Sequence, residues 1–240
     1  MTVSPYQDSA KNKKEQVEQM FDHIAPKYDF LNHFLSLGID KLWRRKAVRI
    51  LRTHSPAEVL DVASGTGDFA IETARINPRH ITAFDLSAEM LKVGEQKVKR
   101  AGLDQMIRFR KGDSEDMPFL PDTFDAITVA FGVRNFEHLE AGLKEFLRVL
   151  KPGGVAVILE FSKPRYFPFR QLYRFYFFHI LPRIGGLVSK DASAYAYLPE
   201  SVMAFPDDHD FLAILQKTGF SSWKQHRLTM GIATIYMAYK

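Results

Sequence analysis

The sequence predicts an α/β fold whose sheet is mostly parallel and ends in an antiparallel hairpin. Short apolar segments alternate with amphipathic helical patterns between residues 58 and 161, and right-handed crossovers convert such an alternation into a parallel sheet. A glycine-rich turn follows the first of these segments. Two further apolar strands towards residue 240 are separated only by residues 229–231, a spacing that favours a hairpin.

Composition is that of an ordinary globular protein and excludes several kinds of function. Of the 240 residues, 46% are hydrophobic and 25% are charged, which supplies a full core and argues against disorder. The chain has no cysteine, so disulfides, cysteine-ligated metals and a cysteine nucleophile are excluded. A net charge of +5 permits an anionic partner without identifying nucleic acid. We find neither a secretory signal nor an uncharged run of about 18 residues that could span a membrane.

Hydrophobic periodicity gives the elements in order. It predicts one helix from Lys13 to Pro26 and another from Lys41 to Arg52, whose outer face is basic. Five strands should follow: Glu58–Ala63, His80–Leu86, Ile107–Gly112, Phe124–Phe131 and Val155–Phe161. The chain should close with a helix at Asp208–Thr218 and strands at Trp223–Leu228 and Ile232–Tyr239.

These elements divide the chain into four expected segments. Residues 1–55 should form an N-terminal helical cap, and residues 56–162 the α/β core that binds a cofactor. Residues 163–206, rich in aromatic and basic side chains, should form an insertion that covers the substrate. Residues 207–240 should supply the helix and hairpin that complete the sheet.

The glycine-rich turn Gly65-Thr66-Gly67 indicates a nucleoside-type cofactor. It joins a strand to a helix, and Asp85 stands twenty residues after Gly65, where a carboxylate can accept both hydroxyls of a ribose. Asp68 lies at the start of that helix, where its charge would repel the pyrophosphate of a dinucleotide. S-adenosylmethionine carries no phosphate and is cationic at its sulfonium and ammonium groups, so acidic neighbours favour it.

The segment Glu58–Asp68 resembles the first motif of the class I S-adenosylmethionine-dependent methyltransferases. Asp113-Ser114 falls where that family binds the adenine amino group. The resemblance implies a Rossmann-like class I fold with S-adenosyl-L-methionine as cofactor. The residues that it assigns to cofactor binding are Gly65, Thr66, Gly67, Asp85, Asp113 and Ser114.

Other segments are similar to the ubiquinone/menaquinone biosynthesis C-methyltransferase family. They are His23–Asn32, Gly38–Arg44, Phe131–Asn135, Leu159–Pro164 and Tyr195–Ser201. The similarity implies C-methylation of a polyprenyl quinol: demethylmenaquinol in the last step of menaquinone biosynthesis, and in some members 2-methoxy-6-polyprenyl-1,4-benzoquinol in ubiquinone biosynthesis. This chain departs from the family pattern at Ala130, where some members carry serine, and at Ser114, where alanine is more usual.

Four residues are candidates for the chemistry. Arg134 follows the fourth strand, at the edge of the sheet where ligands bind, and a fixed cation there could stabilise a phenolate. The alternative for Arg134 is a structural ion pair with an acid such as Glu137. Candidate proton acceptors are His138, Tyr195 and Tyr197. No spacing of histidines and acids indicates a metal site.

The stretch Phe161–Lys190 contains nine aromatic residues, six basic ones and no acidic one. Together with the basic face of Lys41–Arg52, comprising Lys41, Arg44, Arg45, Lys46, Arg49 and Arg52, it suits an anionic membrane surface. We therefore expect a cytoplasmic protein that associates peripherally with the inner face of the membrane, where a polyprenyl quinol resides. The alternative is that the aromatic residues are core and the basic face is simply solvated.

Two other functions remain open at this point. A class I methyltransferase could act on nucleic acid or on another small molecule, although the chain lacks the Asn-Pro-Pro-aromatic motif used on exocyclic amines, and we expect no nucleic-acid partner. The other alternative is a non-catalytic protein that binds a nucleoside. The sequence leaves the oligomeric state open, with a homodimer as one alternative.

Overall fold

The computed structural model describes residues 3–6, 9–180, 183 and 192–240, without the side chains at 192, 193 and 195. Within them, one sheet has the strand order β3-β2-β1-β4-β5-β7-β6. The strands are β1 (Glu58–Val62), β2 (His80–Asp85), β3 (Ile107–Lys111), β4 (Phe124–Ala130), β5 (Leu150–Phe161), β6 (Ser222–Leu228) and β7 (Ala233–Tyr239). The helices are α1 (Lys13–Ile24), α2 (Tyr28–Leu35), α3 (Ile39–Leu51), α4 (Asp68–Thr73), α5 (Ala88–Arg100), α6 (Leu139–Val149), α7 (Phe169–Phe175), α8 (Ala192–Ala204) and α9 (His209–Thr218).

The first five strands are parallel, and helices cover both faces of the sheet. Successive residues of β1 therefore face different cores. Leu60 packs in a cluster with Phe146 of α6, whereas Val59 packs in a cluster with Trp43 of α3. Burial on both faces explains why these strands read as continuous apolar runs rather than as alternating ones.

The C-terminal hairpin is present, and β7 lies between β5 and β6, antiparallel to both. Its register pairs Phe161 with Ala233 and Val155 with Tyr239. The predicted fold class, a mostly parallel sheet that ends in an antiparallel hairpin, is thus confirmed. One boundary differs: β5 begins at Leu150 rather than Val155, because the Lys-Pro-Gly-Gly turn is an irregularity within the strand.

The N-terminal helices pack on the aromatic segment that follows β5. The side chain of Asn12 caps α1, which ends at Ile24 and continues as a short 3₁₀ turn. Helix α2 is not predicted from the sequence. Leu31 of α2 shares an apolar cluster with Tyr173 of α7 and Tyr197 of α8, so the N-terminal helices pack against the helices that follow β5.

Much of the predicted insertion 163–206 is helical. Helix α7 continues as one π-helical turn, Tyr176–Ile180, and α8 contains Pro199. The predicted aromatic and basic stretch, Phe161–Lys190, lies partly outside the described residues. Among the helices that the structure describes, none combines the length and the apolar character that crossing a bilayer requires.

Candidate active site

Two cavities lined by described residues lie at the carboxyl ends of the parallel strands, where ligands bind in such sheets. The glycine-turn cavity, which includes Gly65, Asp85 and Asp113, has an empty volume of about 690 Å³. The aromatic cavity, which includes Trp43, Phe161, Tyr173 and Phe177, has an empty volume of about 1300 Å³. Three residues, Phe21, Tyr28 and Phe131, line both cavities, so the cavities share a wall.

The carboxylate of Asp85 organises the glycine-turn cavity. Its two oxygens accept hydrogen bonds from the backbone N–H of Gly65 at 2.7 Å and of Ser87 at 2.8 Å. Burial raises the pKa of Asp85, while these N–H donors favour its ionised form. Gly65 has a φ of +54°, which a residue without a side chain adopts without steric cost. The turn thereby holds a carboxylate at the cavity wall, where the sequence predicts a ribose contact.

Asp113 and Ser114 also line the glycine-turn cavity. One oxygen of Asp113 accepts a hydrogen bond from the ammonium group of Lys14 at 2.5 Å, and the other accepts from the backbone N–H of Glu115 at 2.9 Å. Helix α1 therefore supplies one wall of the cavity and a cation beside the carboxylate. Ala130, a departure from the family pattern, lines this cavity too.

Thr66 and Gly67 are not among the residues that line either cavity. The hydroxyl of Thr66 donates to Asp29 at 2.5 Å, which ties the turn to α2. Gly67 has a φ of +78°, and a Cβ atom there would lie 3.0 Å from Cζ of Phe109. In this arrangement the two residues shape the turn, and Gly65 faces the cavity.

Aromatic side chains form much of the wall of the second cavity. The rings of Phe131 and Phe161 lie 4.5 Å apart between centroids, and Trp43 contacts both. Phe131 has a φ of +60°, a left-handed conformation that costs a residue with a side chain about 1–2 kcal/mol. Backbone strain of this kind is concentrated at functional sites, and here it turns the Phe131 ring towards both cavities.

Arg134 lines the aromatic cavity and is paired with Glu160. Its Nη1 atom lies 3.0 Å from Oε1 of Glu160 and also donates to the carbonyl oxygen of Phe131. The acid considered from sequence, Glu137, instead accepts the backbone N–H of Lys13 at 3.3 Å. Arg134 is therefore both an ion-pair partner and a cation at the cavity wall.

The three candidate proton acceptors are placed differently. Tyr197 is buried at the aromatic cavity, and its hydroxyl donates to Oδ1 of Asn135 at 3.2 Å. Burial raises the pKa of Tyr197 to about 12. His138 is exposed at the start of α6 and is not among the residues that line either cavity. The side chain of Tyr195 lies outside the described residues.

The model of the ubiE/COQ5 methyltransferase family matches residues 9–240 of this chain. The chain belongs to this family. A demethylmenaquinone methyltransferase from Bacteroides fragilis is 49% identical over 239 residues, which are 99% of this chain and 97% of that one. A ubiquinone/menaquinone biosynthesis C-methyltransferase UbiE from Geotalea daltonii is 50% identical over 230 residues, which are 95% of this chain and 97% of that one.

A solved structure of a SAM-dependent methyltransferase from Thermotoga maritima, titled as a possible histamine N-methyltransferase, has a similar fold. The TM-score is 0.64 at 18% identity, over 92% of this chain and 99% of that one. This likeness concerns the fold alone. Membership of the ubiE/COQ5 family confirms that the protein is an S-adenosylmethionine-dependent C-methyltransferase, as its sequence predicts.

One functional candidate in this methyltransferase, Arg44, is not evident from its sequence. The prediction that Arg44 belongs to the outer basic face of α3 is wrong: Arg44 is 8% exposed and lines the aromatic cavity, where Asp40 one turn earlier binds it at 2.5 Å. The pair Asp40 and Arg44, four residues apart on a helix, was the available signal. Asp61 on β1 is a buried carboxyl group outside the lining of both cavities; it accepts the hydroxyl of Thr128 at 2.6 Å, and burial raises its pKa to about 7.

A charged network joins the helical cap to the glycine-rich turn. His33, Asp40 and Asp68 offer ligand atoms within 4.8 Å of one another, a spacing that could hold a metal ion. Two cations are already present there, since Arg44 contacts Asp40 and Lys97 binds Asp68 at 2.5 Å. Burial opposes ionisation of Asp68, yet these cations lower its pKa below the usual value. The arrangement is that of an ion-pair network.

Proposed function

We propose that this methyltransferase transfers a methyl group to a ring carbon of demethylmenaquinol, with 2-methoxy-6-polyprenyl-1,4-benzoquinol as a second substrate. The shared wall between the two cavities carries the proposal. One cavity offers carboxylates to a cationic nucleoside, and the other offers aromatic walls to a flat ring. The names of the relatives at 49% and 50% identity favour a quinol over nucleic acid or another small molecule.

The residues of the glycine-turn cavity fit S-adenosylmethionine. Asp85 would accept the ribose hydroxyls, and Asp113 with Ser114 would bind the adenine amino group. Gly65 would allow close approach of the backbone, while Thr66 and Gly67 hold the shape of the turn. Asp68 at the start of α4, from which the sequence predicts repulsion of a pyrophosphate, is paired with Lys97, so the choice of the sulfonium donor rests on the carboxylates of the cavity and on the family.

The chemistry requires a nucleophilic ring carbon. The hydroxyl next to that carbon would lose its proton to water, and the resulting phenolate, stabilised by the Arg134 cation, would deliver charge to the accepting ring carbon. S-adenosylmethionine supplies an electrophilic methyl group, so its carbon–sulfur bond breaks as the new carbon–carbon bond forms. The proton on the methylated carbon would then leave to water, and the ring would become aromatic again as a phenolate.

Arg134 and Tyr197 take different parts in this proposal. Arg134 is held by Glu160 and acts as a fixed cation at the phenolate. Tyr197 remains protonated at neutral pH because burial raises its pKa to about 12. Its hydroxyl, which donates to Oδ1 of Asn135, would therefore act as a hydrogen-bonding group at the cavity wall rather than as an anionic base. Tyr195 stays a candidate by its sequence position, and the exposed His138 takes no part.

We place the mouth of the aromatic cavity at the inner surface of the membrane. Leu37 lines the cavity and is 83% exposed, and the hydroxyl of Tyr176 donates to the carbonyl oxygen of Leu35 nearby at 2.6 Å. Exposed apolar side chains are found on α2, on α3 and in residues 166–178 in and around α7: Phe30, Phe34, Leu42, Tyr166, Phe167, Phe169, Leu172, Phe175 and Phe178. Arg170 and Arg174 are exposed among them, which suits anionic headgroups. The insertion 163–206 would then cover the ring and face the bilayer.

One assay tests the function directly. The purified protein is incubated with methyl-labelled S-adenosylmethionine and a short-tailed demethylmenaquinol in detergent, and the product is analysed by mass spectrometry. We expect one methyl group on the ring carbon next to the prenylated one. Label on a ring oxygen, or label only in added RNA or DNA, would contradict the proposal. Restoring the chain to cells that lack it should convert accumulated demethylmenaquinone into menaquinone.

A further inference from the structure

Two arginine side chains of the aromatic cavity each keep an unpaired donor. Arg44 and Arg134 both line the cavity. Arg44 is 8% exposed as a whole residue, and the side chain of Arg134 is also 8% exposed. The Nε atom of each is buried and has no hydrogen-bond partner within the described part of the chain. An unpaired buried donor is costly, so such groups are usually completed by a ligand or by water.

The two guanidinium groups border the same pair of rings. Cζ of Arg44 lies 5.8 Å from the ring centroid of Phe131, and Cζ of Arg134 lies 5.5 Å from that of Phe161. The centroids of these two rings are 4.5 Å apart, so Arg44 and Arg134 each contact a different ring of one aromatic pair. This arrangement suits a flat ligand ring that carries oxygen atoms at two positions.

Arg44 is held in place independently of any ligand. Its Nη1 atom binds Asp40 at 2.5 Å, and Asp40 also accepts the hydroxyl of Ser36 at 2.5 Å and contacts His33 at 2.9 Å. Burial opposes ionisation of Asp40, but the hydroxyl of Ser36 and the Arg44 cation lower its pKa overall. The remaining donors of Arg44 are therefore presented by a rigid group.

We propose that Arg44 binds the second oxygen of the quinol, the one remote from the carbon that accepts the methyl group. Arg134 then faces the oxygen next to that carbon. The inference rests on the proposed function. Only the adjacent oxygen can deliver charge to the accepting carbon, so the contact with Arg44 orients the ring and selects rings with two oxygens in 1,4-relation over simple phenols.

A pair of substrates separates the two contacts. The first is 2-prenyl-1,4-dihydroxynaphthalene, and the second is 3-prenyl-1-naphthol, which lacks only the remote oxygen. For the unaltered protein, kcat/KM should be about 10- to 100-fold lower with the naphthol, the effect of losing a hydrogen bond to a charged group. Arg44→Met should lower kcat/KM for the quinol by a similar factor and lower that for the naphthol much less. Arg134→Gln should lower both.

Two outcomes would overturn the assignment. One is equal kcat/KM for the two substrates with the unaltered protein. The other is an Arg44→Met effect of the same size on both. Arg44→Lys controls for a folding defect, because it keeps a cation beside Asp40 while removing the planar guanidinium group. Its ratio of kcat/KM for the quinol to kcat/KM for the naphthol should be smaller than that of the unaltered protein. Arg79→Met changes an exposed arginine outside the lining of both cavities. Its kcat/KM ratio between the quinol and the naphthol should equal that of the unaltered protein.

A binding measurement keeps this inference separate from the proposed function. The chain has two tryptophans, and Trp43 lines the aromatic cavity, so Trp223→Phe leaves Trp43 as the only tryptophan reporter. Quenching of Trp43 should give a Kd for the quinol that Arg44→Met raises about 10- to 100-fold, with the Kd for the naphthol raised much less. Quinol that quenches Trp43 but is not methylated would contradict the proposed function, while the quenching pattern would still decide the role of Arg44.

Discussion

Arg134 and Glu160 form an ion pair that is almost completely withdrawn from water. Nη1 of Arg134 lies 3.0 Å from Oε1 of Glu160, whose side chain is fully buried. The backbone N–H of Phe161 donates to the same oxygen at 2.8 Å. Burial raises the pKa of Glu160, and the Arg134 cation opposes that rise. The pair therefore fixes a cation at the cavity wall before any ligand arrives.

Arg134→Gln should lower kcat about 10²- to 10³-fold, the usual cost of losing one preorganised group that stabilises developing charge. The Kd for S-adenosylmethionine should stay nearly unchanged, because Arg134 lines only the aromatic cavity. Arg134→Lys should recover part of the loss. Raising the pH should partly rescue Arg134→Gln, because more of the quinol is then ionised.

The double variant Arg134→Gln/Glu160→Gln separates catalysis from stability. Removing one partner of a buried ion pair costs about 3–5 kcal/mol, so Arg134→Gln alone should also unfold more easily. The double variant should regain much of that stability in thermal unfolding without regaining turnover. If turnover returned together with stability, Arg134 would be a structural ion-pair partner only.

Asp85→Ala should weaken S-adenosylmethionine binding by about 1.5–3 kcal/mol, measured by isothermal titration. The carboxylate also holds the N–H groups of Gly65 and Ser87, so part of this loss could arise from a disturbed turn. A 2′-deoxy analogue of the cofactor isolates the ribose contact. The analogue should bind the unaltered protein more weakly, and Asp85→Ala should abolish that difference. A difference of the same size in both proteins would refute the ribose contact.

Gly67→Ala should destabilise the protein more than Gly102→Ala. Both glycines have a positive φ, +78° and +67°, so both substitutions carry a backbone cost of about 1–2 kcal/mol. A Cβ atom at Gly67 would also meet the Phe109 ring at 3.0 Å, whereas at Gly102 nothing lies within 4 Å. Chemical denaturation measures the unfolding free energy of both variants. Equal losses of unfolding free energy would show that the Phe109 ring moves aside without an energetic cost.

Asp61 should make stability depend on pH. Burial raises its pKa in the folded state to about 7, from the usual value of 3.8. The folded protein then binds this proton more tightly than the unfolded chain does, so the contribution to stability is largest below about pH 4. It falls as the pH rises to about 7. Asp61→Asn should remove that decline, seen as a flatter curve of unfolding free energy against pH.

Arg170→Gln/Arg174→Gln should lower activity on long-tailed quinol in anionic vesicles and spare a short-tailed quinol in detergent. Each basic residue near an anionic surface contributes about 1 kcal/mol of attraction. Arg165 is left intact because it pairs with Asp208. The exposed pair Arg75→Gln/Arg79→Gln, with the same change of charge, is the control. Equal losses in vesicles and in detergent would indicate a role in folding or at the site.

Patterns that repeat along the chain were readable from sequence, and contacts between distant segments were not. The strands, the hairpin and the positions of Gly65, Asp85 and Asp113 follow from local periodicity and from motif spacing. Helix α2 has only eight residues between Pro26 and Gly38, too few for a periodic pattern to stand out. Its existence depends on packing Leu31 and Leu35 into a cluster with α7 and α8.

The partners of charged residues are likewise difficult to predict from sequence patterns. Arg44 lies among basic residues that are exposed, and only its partner Asp40 and the cavity behind it explain its burial. Arg134 was correctly placed near the edge of the sheet, but its partner Glu160 lies on the neighbouring strand β5 rather than nearby in sequence. Side-chain partners across strands depend on register, which a single sequence does not specify.

The position of Leu37 has a consequence for tail length. It lines the aromatic cavity and is also 83% exposed, so the cavity reaches the surface two residues after the end of α2. Isoprene units beyond the first few would then lie outside the protein, in lipid. We therefore expect the enzyme to process homologous quinols of different chain length with nearly equal efficiency once they share a bilayer, and to leave the choice of length to the prenyltransferase that builds the tail.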